Sequence, residues 1–319
     1  MSEAYEPIVY TKKSKTFELP RPQAPLIDTH AHLLSFWDRN PVEALVRAGY
    51  AGVAGIVTLY DPVADAGKAS DAATFSGWLR GECGRAAAAG ADIACRYLVG
   101  VHPYGAAEYA DAVHAQIEAA LSDPLCAGVG EIGLDYHFDA DDDIEAAPHD
   151  LQMRVMARQL ELACARNVPV ELHIRNDNGD EAREAHRDCL AVLREVGIPD
   201  AGCVLHCFGE DRTTMEAFVD LGCHIAFGGA ATFKRNEAVR KAFATCPLDR
   251  ILFETDCPYM APEPIRGLEC EPAMIAQTAD VLLYDRADRT GELPEQMALR
   301  VLQNSRELFF ATEAIDERA

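Results

Sequence analysis

Eight short β-favouring apolar runs, helical patterns between them and the lack of any Pro/Gly/Ser-rich linker predict one α/β domain. Runs this continuously apolar are buried on both faces, as in a parallel sheet, and eight strands close a barrel. The fold class is therefore a (β/α)8 TIM barrel, and 319 residues suit one such unit.

The runs are Leu26 to His30, Val53 to Leu59, Ile93 to Val101, Gly128 to Ile132, Val168 to His173, Gly202 to His206, His224 to Phe227 and Ile251 to Glu254. Apolar residues at helical spacing lie between several of them: Tyr109, Val113, Ile117 and Ala120; Leu151, Val155 and Leu162; Cys189, Val192, Leu193 and Val196; Met215, Phe218 and Val219. Residues 1–24 lack periodicity and read as an N-terminal extension, draped over the body or partly loose; residues 25–319 form the barrel domain. The segment His137 to His149, with Asp139, Asp141, Asp142, Asp143 and Glu145, reads as a solvated acidic loop. A Pro-rich loop, Pro258 to Pro272, follows the eighth run, and two helical stretches, about 273–284 and 294–310, close the chain.

Composition narrows the function classes. No apolar run reaches eighteen residues and no charged-then-apolar leader opens the chain, so the expectation is a cytoplasmic protein without a membrane span. Eleven cysteines, none in a Cys-x-x-Cys pair and most inside apolar runs, read as reduced thiols rather than a disulfide framework or zinc ribbon. The net charge of −23 disfavours polyanions unless a local cation offsets it.

What ends the strands is the informative feature. His30 and His32 end the first, His102 follows the third, Glu131 ends the fourth, His173 and Arg175 the fifth, His206 the sixth and Asp256 the eighth. Strand C-terminal ends share one face of such a barrel, where active sites are built. Taken singly, His102 could cap a loop, Glu131 could sit in a salt bridge, and His173 or His206 could be a hydrogen-bonded core histidine. Their common position points to one mouth. Four imidazoles and two carboxylates exceed the needs of a single ion with an open position, and a central carboxylate can lend one oxygen to each of two metals. Glu131 is the bridge candidate, because none of the six lysines falls at the fourth strand. Nitrogen and oxygen donors suit zinc, manganese, nickel or iron, while magnesium asks for more oxygen. His114, His186 and His224 carry no assignment, and His137 and His149 read as surface residues.

With these residues in view, the chain resembles the TatD family of metal-dependent hydrolases, within the amidohydrolase-like superfamily. The matching text is Asp28-Thr-His30-Ala-His32, Gly100-Val-His102-Pro, Gly130-Glu131-Ile-Gly-Leu-Asp135-Tyr, Glu171-Leu-His173-Ile-Arg175, Leu205-His206-Cys207-Phe208 and Phe253-Glu254-Thr255-Asp256-Cys-Pro258-Tyr. The resemblance implies metal-dependent hydrolysis of DNA phosphodiesters, often as a 3′-to-5′ exonuclease, by way of a bridging water. It implies that His30, His32, Glu131 and Asp256 hold one divalent metal and Glu131, His173 and His206 a second. Asp256 would orient or deprotonate the water, His102 would contact the scissile phosphate, and Arg175 would clamp it.

Three departures bear on substrate. Tyr104 stands where the family often has a second histidine, Cys270 replaces an asparagine in Arg266-Gly-Leu-Glu-Cys270-Glu-Pro272, and Asn176 to Glu184 is extra polar sequence. Tyr104 can donate a hydrogen bond but carries no positive charge at neutral pH. The partner is thus DNA or a small phosphodiester. The competing readings are a hydrolase of a small ester, lactone or amide, and a non-catalytic metal-binding scaffold.

Overall fold

The computed structural model describes residues 7–137 and 147–311; the acidic run Asp139 to Glu145 lies outside the described residues. Eight strands form one all-parallel sheet in chain order: β3 (Leu26–Ala31), β4 (Val53–Tyr60), β5 (Ala94–Val99), β6 (Cys126–Asp135), β7 (Val170–Arg175), β8 (Cys203–Leu205), β9 (His224–Phe227) and β10 (Ile251–Phe253). Each falls within or overlaps one of the eight apolar runs. The ends meet through a parallel bridge between Ala31 and Cys257, with Asp256 N–H donating to His30 O (2.9 Å) and His32 N–H to Cys257 O (2.8 Å). This is the (β/α)8 barrel.

Helices α1 (Pro41–Tyr50), α2 (Ala72–Ala88), α3 (Asp111–Ala120), α4 (His149–Arg166), α5 (Glu184–Val196), α6 (Arg212–Val219), α7 (Glu237–Thr245), α8 (Ile275–Thr290) and α9 (Pro294–Phe309) surround the strands. Several start on a side-chain cap. Asn40 accepts from Val42 N–H, Asp71 from Thr74 N–H and Asp211 from Thr214 N–H, which satisfies amide groups the helix itself leaves without a partner. Three of these helices, α1, α2 and α7, are absent from the periodicity reading; in α2, alanine and glycine dilute the apolar face. Among the described residues no helix is long and apolar enough to cross a membrane.

The barrel interior is apolar at one end. Ile27, Val57, Leu98, Val204, Ala226 and Leu252 pack with Leu302, Phe309 and Phe310 of the last helix and its end. Gly55 makes room for this plug, since a Cβ there would lie 3.1 Å from the Phe310 ring. With strand starts sealed by Leu302, Phe309 and Phe310, the strand C-terminal ends are left for chemistry.

Strand ends shift by a residue or more from most of the sequence runs, and two of the shifts bear on the site. β6 runs on past Ile132 to Asp135, so Glu131 lies inside the strand, at a register shift between Val129 and Ile132. The extension needs Gly133, whose φ is 145° and whose Cβ would fall 1.9 Å from His173 O. β10 stops at Phe253, which puts Asp256 in the following loop with φ 56°. Within the N-terminal stretch, β1 (Val9–Lys12) and β2 (Lys15–Glu18) form an antiparallel hairpin across a two-residue turn, Lys13-Ser14, with both φ values positive. Buried Tyr10 ties this hairpin to the body by a hydrogen bond to Glu271.

Candidate active site

The site is built from strand ends upward. His30 is wholly buried, and its Nδ1 is 2.6 Å from Glu171 Oε1, which turns Nε2 toward the mouth. There Nε2 lies 3.0 Å from His32 Nε2, 3.7 Å from Glu131 Oε2 and 3.7 Å from Asp256 Oδ1. His32 Nε2 is 3.7 Å from the same Glu131 oxygen and 3.5 Å from Asp256 Oδ1. Donors bound to one ion at 2.0–2.1 Å lie about 3.0–3.4 Å apart, so His30, His32 and Asp256 are spaced to share a cation, with Glu131 Oε2 beside the two imidazoles. The other Glu131 oxygen, Oε1, is 2.7 Å from His173 Nδ1 and 2.8 Å from His206 Nε2, and those two nitrogens are 3.3 Å apart. One carboxylate thus faces two donor groups.

His102 sits at the edge of the second group, its Nε2 3.9 Å from Glu131 Oε1. Its Nδ1 accepts the Tyr104 N–H (3.2 Å), which leaves the ring proton on Nε2, directed inward. Burial, helped by the neighbouring His173, pushes its pKa down to about 3, so the ring is neutral. Arg175 Nε donates to Asp135 Oδ1 (3.0 Å), and its Nη2 donates to the Tyr104 hydroxyl. Both Arg175 and Tyr104 therefore border the mouth.

The charge balance tests whether metals fit. Asp28, Glu131, Asp135, Glu171, Glu254 and Asp256 are all buried around these imidazoles. Among the described residues, Arg175 is the one lysine or arginine that pairs with any of them. Burial pushes Asp28 up to about 7 and Glu171 up to about 8, and Glu171 Oε2, Glu254 Oε2 and His206 Nδ1 are buried without a hydrogen-bond partner. Burial alone would also lower His173, but hydrogen bonds to Asp135 and Glu131 outweigh it and hold that ring up at about 10. Burial opposes ionisation of Glu131 too, yet the His206 charge and the His173 hydrogen bond hold its carboxyl well below the usual range. A cavity with surplus buried carboxylate, drawing protons onto its histidines, is one that a divalent cation suits. His30, His32, Glu131 and Asp256 could hold one, and Glu131, His173 and His206 another.

Supporting residues were less visible in the sequence. Asp135 Oδ2 lies 2.9 Å from His173 Nε2, and Glu254 Oε1 lies 3.9 Å from His206 Nδ1. Asp28 accepts from Thr255 N–H (2.8 Å) and Thr255 Oγ1 (2.6 Å), fixing the turn that carries Asp256. Glu171 and Glu254 each precede a site residue by two positions, and that spacing is the signal that could have found them. Gln152 and Gln159, both fully buried on α4, bracket the loops with paired hydrogen bonds. Gln159 exchanges both with the Val101 backbone, and Gln152 does so with Asp135. Two glutamines seven apart on an otherwise apolar helix face mark such clamps. Residues without a role stay apart: His114 pairs with Tyr109, His186 with Asn176, and His149 stacks on Tyr136.

Removing the charge behind a ligand-positioned histidine weakens ion binding by about 10- to 100-fold. Asp135→Asn should do so here, because the carboxylate orients His173. Calorimetric titration with manganese reads the effect, and an affinity equal to the parent's would contradict it.

Histidines and carboxylates gathered at the strand ends of a barrel are the donor set of a metal-dependent hydrolase. The family model for TatD related DNase matches residues 27–310, and the chain belongs to that family. Over 287 residues it is 33% identical to the uncharacterized metal-dependent hydrolase TatD of Mycobacterium tuberculosis, covering 89% of this chain and 97% of that protein. Over 221 residues it is 32% identical to the 3′-5′ ssDNA/RNA exonuclease TatD of Pantoea vagans, covering 67% of this chain and 78% of that one. The crystal structure of YjjV, a TatD homolog from Escherichia coli K12, superposes with a TM-score of 0.71 at 26% identity, covering 90% of this chain and 98% of that chain.

Proposed function

We propose that this chain is a two-metal phosphodiesterase acting on the ends of single-stranded nucleic acid, DNA foremost. The observation that carries the reading is Glu131, with Oε2 toward His30 and His32 and Oε1 toward His173 and His206. Divalent ions held by these groups supply Lewis acidity and make water more acidic. The name of the Pantoea vagans relative supports the choice of substrate.

The chain's own groups divide the remaining work. Burial opposes ionisation of Asp256, but its hydrogen bond with His32 outweighs that and keeps the carboxylate ionised, as a group that takes the proton of the attacking water must be. His102 Nε2–H donates to a non-bridging phosphate oxygen. Arg175, oriented by Asp135, sets a positive charge against the phosphate, and the Tyr104 hydroxyl extends the same contact.

Protein stripped of metal and reloaded with manganese or zinc should bind two ions per chain and hydrolyse single-stranded DNA. One ion per chain, or no cleavage of DNA and of a chromogenic diester alike, would refute the proposal. A second reading keeps the site and changes the substrate to a small ester, lactone or amide. It is favoured by the net charge of −23 and by the pairing of Arg175 with Asp135. Carbonyl substrates turned over orders of magnitude faster than diesters would select it.

A further inference from the structure

Beside His32, two aromatic rings are left in water. Tyr259 meets the His32 ring edge-on at a centroid distance of 6.0 Å, and Trp37 meets Tyr259 at 6.1 Å. Trp37 is 61% exposed, Tyr259 45%, and adjoining Met260 44%. An apolar patch of this kind at the rim of a reacting centre marks a binding surface more often than a scattered exposed leucine does.

The backbone under these rings is clamped. Trp37 N–H and Asp38 N–H both donate to Glu269 Oε1, at 2.5 and 3.2 Å. Arg39 Nη2 donates to Glu269 O (3.2 Å) and its Nη1 to Glu271 Oε2 (3.1 Å). Buried Glu271 also accepts from Arg47 Nε (2.8 Å) and from the Tyr10 hydroxyl of the N-terminal hairpin. A fixed main chain carrying an exposed indole presents a flat face at little ordering cost.

We infer that the Trp37 indole, with Tyr259 edge-on beside it at an interplanar angle of 65°, forms a stacking platform for a nucleobase of the strand whose phosphate lies at the corner made by His32 and Asp256. The inference rests on the phosphodiesterase reading and gives it a substrate-binding element. The net charge of −23 opposes a phosphate backbone, and Arg175 at the mouth is already paired with Asp135. Stacking supplies affinity that needs no charge and tolerates every base, because each base has a π-face. It also gives the hairpin a role, since Tyr10 braces the loop that carries Tyr259.

The test is equilibrium binding of 5′-fluorescein tetrathymidylate with phosphorothioate linkages, which resist hydrolysis, to the full metal-loaded chain, read by anisotropy. A matched oligonucleotide with an abasic 3′ residue is the control. Trp37→Ala should weaken binding of the base-bearing strand by roughly 5- to 100-fold and leave the abasic strand unchanged. Trp37→Phe should restore most of the loss, and Trp37→Leu should not. Equal binding of both strands by the parent chain, or equal loss of both in Trp37→Ala, overturns the platform. Hydrolysis separates this from the larger reading. Base-dependent binding without cleavage of any diester removes the phosphodiesterase and keeps the platform, whereas cleavage with KM unchanged in Trp37→Ala does the reverse.

Discussion

Glu131→Gln should lower metal stoichiometry from two ions per chain to one or fewer and cut hydrolysis by at least about 100-fold, the scale of losing a few kcal/mol of electrostatic stabilisation. The substitution preserves shape and removes charge. Glutamine offers one carbonyl oxygen, which can face His30 and His32 or face His173 and His206, but not both. Metal content after dialysis and circular dichroism read the two halves of the claim. Two ions retained on a folded variant would show that the carboxylate is not shared.

The same groups set a pH dependence for ion uptake. The His173 ring is held up at about 10 despite burial, by Asp135 and Glu131. Below that pH, an ion approaching Nδ1 must displace a proton, so apparent affinity should climb about tenfold per pH unit while one proton is released. His32 is also raised: burial opposes its charge, but Asp256 and Glu131 outweigh that, so the slope steepens where both rings are protonated. Without metal the raised value has a second consequence. The stability it contributes is present below the ordinary histidine value near 6.5 and is lost as pH rises through about 10. Calorimetry in buffers of different ionisation enthalpy counts the protons, and affinity flat between pH 6 and 8 would contradict the scheme.

The barrel was legible because its strands are buried on both faces, which writes uninterrupted apolar runs into the chain. All six residues of β3 and all three of β8 and β10 are buried. Polar residues closing such runs stand out, so His30, His173 and His206 could be placed at one mouth from position alone. Finer placement depended on conformations that a hydropathy pattern does not carry. β6 continues past Glu131 because Gly133 adopts a positive φ against the His173 carbonyl, and Asp256 reaches the mouth from a left-handed position beyond its strand. The carboxylates behind the imidazoles were harder still. Glu171 and Glu254 sit inside apolar runs, where a charged residue reads as an interruption until its histidine partner is known. The hairpin of β1 and β2 was hidden for a simpler reason: four-residue strands with one buried side chain leave no period to detect.

Asp256→Asn should reduce kcat by about 10²- to 10⁴-fold, the span set by loss of a positioned general base. The fold should survive the change. Asparagine tolerates the left-handed backbone at this position, φ 56°, and the N–H to His30 O bond that helps close the barrel does not involve the side chain. Thermal midpoints of variant and parent should therefore agree within a few degrees. What disappears is a carboxylate held ionised chiefly by its hydrogen bond with His32 against the effect of burial, with Oδ1 3.5 Å from His32 Nε2 and 3.7 Å from His30 Nε2. Those distances allow two roles, ion ligand and proton acceptor, and metal content distinguishes them. Activity lost with both ions retained isolates the proton-accepting role. Loss of one ion together with activity, matched by His32→Ala, makes Asp256 chiefly a ligand. A variant that keeps more than about a tenth of parental turnover would rule out the base, since even the weakest general-base contribution exceeds that. The proton would then have to leave by another group at the mouth, and neutral His102 presents only a donor there.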